Sequence, residues 1–174
     1  MLVLRVGRKA RWEEGDRPAD DPLRVSQAAL DLQLAPDEAG LSVFQVEGED
    51  EPREVAVRFA LTCRDRPAHV DFVVFPAELA TGLGLTVAPV PIEGLDPDLN
   101  ARHHEIIGLT PELTGRLASS ILVSADRRVG RVRDRDVAAL GAELCRRDPE
   151  LRNHLRGDWA SRLASLTGDL PPEG

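Results

Sequence analysis

The chain has 174 residues, is 42% hydrophobic and carries a net charge of −8 at pH 7. That length sustains a hydrophobic core without a metal or disulfide, and no apolar run approaches the ~20 residues a membrane helix requires. Two separated cysteines, Cys63 and Cys145, with no CxxC pair exclude a disulfide framework or zinc ribbon.

In chain order, Leu2 to Val6 reads as a short strand, and Met1 to Lys9 lacks the long apolar stretch and cleavage site of a signal peptide. Residues 13–22 are acidic and proline-broken, hence a loop. Leu30, Leu32 and Leu34 alternate with polar residues, which predicts a strand ended by Pro36. Leu41 to Val46 predicts another. Five acids among residues 47–54 read as a solvated loop leading into a helix N-terminus.

Residues 52–64 fit both a strand and a helix. Pro52 suits a first turn and Glu51 to Glu54 suit its positive end, which favours the helix. Arg64 and Arg66 then fall near its negative end. Val70 to Phe75 is almost wholly apolar, as expected of a central strand covered on both faces. Residues 41–75 therefore predict a βαβ unit in a mixed sheet. Pro76 to Thr81 predicts a short helix, and Leu85, Val87 and Val90 an edge strand limited by Pro89 and Pro91.

Residues 97–107 are again double-valued: His103 to Leu109 fits a strand, or the end of a helix begun at Asp96-Pro97. The strand is preferred. Thr110-Pro111-Glu112 opens a helix with Leu113, Leu117 and Ile121 on one face. Val129 to Arg133 is extended and basic. Asp134 caps a helix to Arg147, Asp148-Pro149 opens the next, and Leu151 to Leu166 continues an apolar stripe kinked at Gly157. The expectation is an α+β fold: one domain over residues 1–167 with a mainly helical C-terminal part, residues 1–25 as a candidate loose arm, and 168–174 as a disordered tail.

Charge is segregated. Residues 26–100 carry −10, while 1–25 and 101–174 each carry +1. An acidic middle disfavours a broad nucleic-acid footprint, and 3% aromatic content leaves few platforms for stacked bases. One lysine against 21 arginines reflects arginine-biased coding, so the arginines are not all binding groups.

Candidate chemistry is sparse. His103-His104-Glu105 is the one clustering of catalytic residue types. On a strand His103 and Glu105 share a face and His104 points away, so a carboxylate-oriented general base is available. As metal ligands they fall short of three, with His69 and His154 remote. Asp71 interrupts the most apolar strand and is a further acid candidate, with Glu78 beyond the strand's end as a second carboxylate; the plainer reading is a carboxylate bonded to backbone or arginine. Arg127, Arg128, Arg131, Arg133 and Arg135 form the densest charge run, suited to phosphates or to an acidic partner, or to guarding a strand edge.

No GxGxxG, GxxxxGK[ST] or GxSxG motif is present, and no cofactor is called for. The chain reads as a cytoplasmic interaction or regulatory module of a bacterial system, comparable to accessory, antitoxin-like or immunity-like proteins, with another protein as partner and no membrane. The alternatives are a small metal-dependent or acid/base enzyme using His103, His104, Glu105 and Asp71, and a nucleic-acid binder using Arg127 to Arg135.

Overall fold

In a computed structural model, residues 1–13, 20–33, 40–65 and 68–167 are described. Among them the strands are β1 (Leu2–Val6), β2 (Leu41–Gln45), β3 (Val70–Phe75), β4 (Thr86–Pro89), β5 (His103–Ile107) and β6 (Arg128–Val132). They form one sheet in the order β4-β5-β2-β1-β3-β6. The helices are α1 (Pro22–Gln33), α2 (Glu51–Cys63), α3 (Glu78–Thr81), α4 (Pro97–Arg102), α5 (Pro111–Val123), α6 (Asp134–Arg147) and α7 (Trp159–Thr167), with 3-10 turns at Lys9–Arg11 and Pro149–His154. The fold is α+β.

Every neighbouring strand pair is antiparallel, so the sheet is not mixed. The β-α-β unit is nevertheless there in split form. β2 and β3, joined by α2, each pair antiparallel with β1 and so run in the same direction with β1 between them. This also corrects the loose arm: Leu2, Val3, Leu4 and Val6 are buried in the middle of the sheet, and Trp12 is wholly buried. Apolar residues on both faces of β1 leave it no stable place except the interior.

Strand alternation feeds two cores. Val3, Phe44, Phe72, Val74 and Val132 face α2, α6 and α7. Leu2, Leu4, Val43, Val73, Phe75 and Ile106 face α1 and α5. All six residues of β3 are buried, as its composition predicts. Gly130 of β6 lies opposite Phe72. A β-carbon there would sit 2.2 Å from the Phe72 ring, so the aromatic ring fills the space a side chain would need.

The strand expected at Leu30–Leu34 is α1 instead, with Leu34 and Pro36 outside the described residues. Leu30 is 47% exposed, whereas Ala28, Asp31 and Leu32 are buried at helical spacing. Asp31 accepts from the Trp12 indole at 2.9 Å, so the polar residue between the leucines faces inward beside Leu32. Residues 14–19, Arg66 and the tail 168–174 also lie outside the described residues.

The two double-valued segments resolve by their caps. Residues 51–63 are helical, with Pro52 and two acids in the first turn. Residues 97–107 are both: Asp96 accepts from the Leu99 N–H at 3.0 Å to start α4, and β5 begins as α4 ends. Thr110 caps α5 by accepting from Leu113 at 3.2 Å. Asp134 is the first helical residue of α6 rather than its cap, which is Arg133. No helix among the described residues is long and apolar enough to cross a membrane.

Candidate functional site

β5 places His103 and Glu105 on the face shared with Phe44, and His104 with Ile106 on the other, as strand alternation requires. His103 and Glu105 are only 1% and 4% exposed. The His103 ring meets Phe44 edge-on at 5.4 Å, and its Nδ1 lies 2.6 Å from the Val90 carbonyl. A carbonyl only accepts, so Nδ1 carries the proton. That leaves His103 Nε2 and Glu105 Oε2 buried with no hydrogen-bond partner among the described residues. His104 turns away, its Nδ1 3.0 Å from the Arg102 carbonyl. Among the described residues no group of three metal-ligating side chains is found.

Asp71 does not join this cluster. It lies on β3, separated from β5 by β1 and β2, which is about 14 Å at ordinary strand spacing. Its neighbours in register place it on the face opposite His103. Its carboxylate accepts from Arg131 Nε at 2.6 Å and Nη2 at 2.8 Å, and from the Lys9 N–H at 2.7 Å. Burial pushes this carboxyl up, but the Arg131 guanidinium and the Lys9 N–H outweigh it and hold Asp71 below its ordinary value. A fully bonded, ionised carboxylate is an anchor for Arg131.

The arginine run lies at the open edge of the sheet. β6 pairs with β3 alone, and Arg128, Arg131, Arg133 and Arg135 are exposed. They do not all share one side. Arg131 is on the Asp71 face, Arg128 on the Val74 face, and Arg133 and Arg135 belong to the start of α6. Arg127 turns inward and donates to the Leu122 carbonyl. Arg135 lies 3.6 Å from Asp136. Among the described residues the side chains of Arg128 and Arg133 have no ion-pair or hydrogen-bond partner. Beside β6 a cleft of about 410 Å³ is bounded by Lys9, Glu13, Arg131, Arg133 and Asp136. Lys9 is the chain's one lysine and pairs with Glu13. Sequence spacing offers Glu13 as a partner for Lys9, but Asp71, which accepts from the Lys9 N–H, arrives from 62 residues away.

A second charged cluster also escaped the sequence. Arg58 of α2 is buried, gripping Asp96 at 3.0 and 3.1 Å and Asp148 at 2.8 Å, with Glu54 and Asp98 at 3.5 Å. Arg102 bonds Glu51 at 2.9 Å and Asp98 at 3.1 Å, and Arg147 bonds Glu54 at 2.7 Å. Four acids of the acidic middle, Glu51, Glu54, Asp96 and Asp98, are thereby paired within the molecule. The local signals were Arg58 among the buried apolar residues of α2 and its i,i+4 spacing from Glu54. Both thiols are free, and burial pushes Cys63 and Cys145 up, so neither is an activated nucleophile.

No family model, no curated protein and no solved structure matches this chain.

Proposed function

We propose that the chain is a non-enzymatic interaction or regulatory module, of the accessory, antitoxin-like or immunity-like kind found in bacterial systems. It docks an acidic partner protein on the basic edge formed by β6 and the start of α6. The observation that carries this reading is the pair of exposed guanidinium groups, Arg128 and Arg133, that have no side-chain partner among the described residues, beside the exposed Arg131, which is tied to Asp71 of β3. Charges fixed at a rim speed and orient association with an opposite partner. Arginine bias in the coding explains abundance, and Arg8 and Arg53 are likewise exposed with no side-chain partner among the described residues; the bias does not explain why Arg128, Arg131 and Arg133 gather at one strand edge.

The enzyme reading is weaker on the same evidence of access. A general base has to reach the proton it takes, and His103 and Glu105 are sealed within the fold. The test is quantitative purification from source cells of the wild-type protein and of the Arg128→Glu/Arg133→Glu variant. A stoichiometric acidic protein should accompany the wild type at low salt, and be lost both at high salt and with the variant. Identical recovery by both proteins overturns the reading. Loss of cellular function in a folded His103→Ala protein that keeps its partner favours the enzyme instead.

A further inference from the structure

The two edges of the sheet are not equivalent. β4 has four residues, includes Pro89, and is followed by Pro91, so it lacks donors where a strand would add. β6 has no proline. It bonds β3 along one side, and among the described residues no other main-chain hydrogen bond reaches Arg128–Val132. An antiparallel strand points half its N–H and C=O groups each way, so among the described residues the outer row of β6 is unpaired.

That row is flanked by charge. Arg128 and Arg131 stand on opposite faces, both exposed. Arg131 bonds Asp71 of the neighbouring β3 through Nε and Nη2, and its Nη1 has no partner among the described residues. Arginines on an edge disfavour pairing with a second basic edge, which argues against a second copy of this chain. They favour a strand carrying acids. The open row is complementary to a polypeptide main chain, which a phosphodiester backbone cannot match.

Resting on the interaction reading above, we propose that β6 accepts an extended acidic segment of the partner as a seventh strand. Its acids, three residues apart, face Arg128 and Arg131. A spacing of three puts the two carboxylates on opposite faces of the added strand, as the two arginines are. Main-chain bonds supply the register and the acids supply the choice of sequence.

The test uses the full chain and the peptide acetyl-Thr-Glu-Val-Thr-Glu-Thr-amide, followed by amide NMR shifts. Two further peptides are N-methylated, each on one alternate set of main-chain nitrogens. One set faces β6 and the other faces away. The parent peptide should shift the amides of residues 128–132, and Arg128→Glu should weaken it. One methylated peptide should bind at least about tenfold more weakly, since several main-chain bonds are lost, while the other binds like the parent. Equal binding by all three peptides overturns strand addition and leaves charge docking. Absence of parent binding also overturns it, while partner recovery that still depends on Arg128 and Arg133 keeps the interaction reading. Tighter binding of a mixed-sequence single-stranded oligonucleotide to the same residues overturns it in favour of nucleic acid.

Discussion

Replacing Arg58 by methionine should cost more stability than any surface change in the molecule. Methionine keeps the length of the side chain and removes the charge. Asp96, 1% exposed, would lose both of its bonds to Nη1 and keep only the Leu99 N–H. Asp148, Asp98 and Glu54 would lose their common counter-charge as well. Breaking a buried pair by removing one partner costs about 3–5 kcal/mol, because an uncompensated charge remains inside. Against a typical total of about 5–15 kcal/mol, this is a large share. Urea denaturation at pH 7 measures it. A cost below about 1 kcal/mol, within the range of an exposed pair, would refute the reasoning.

Gly130→Ala should destabilise by about 1–3 kcal/mol, since its β-carbon meets the Phe72 ring; a urea midpoint unchanged from wild type would show that the ring moves aside freely. In a Phe72→Leu background the same substitution should cost measurably less. Asp71 is held below its unfolded value near 3.8, so its contribution is complete above that value and is lost as pH falls through the lower folded one. Acid unfolding of Asp71→Asn should accordingly be shallower below pH 4 than that of wild type. Both thiols should react slowly with a thiol reagent in the native protein and rapidly in denaturant, which colorimetric titration reads directly.

Strands and caps were legible because their signals are local. Leu2–Val6 and Val70–Phe75 match their apolar runs to the residue, and Thr110-Pro111 marks the start of α5 through a hydroxyl three residues from the N–H it accepts. α1 was not legible, because the exposed Leu30 and buried Leu32 imitate a strand's alternation and the buried Asp31 depends on Trp12. The direction of β2 and β3 followed from reading α2 as a crossover, yet nothing local revealed that β1 would slip between them. The same limit governs the site. The facing of His103, His104 and Glu105 follows from alternation alone, while their burial depends on Phe44 and on Val90 across the sheet. The arginine run was visible as charge. Which arginines remain unpaired was decided by Asp71 and Leu122, which sequence spacing cannot place.

The most direct test of docking through the basic edge is amide hydrogen exchange of the full chain, alone and bound to the protein recovered with it. Strong new protection confined to residues 128–135, absent with Arg128→Glu/Arg133→Glu, is the predicted result. Protection centred elsewhere, or unchanged by those substitutions, would contradict it.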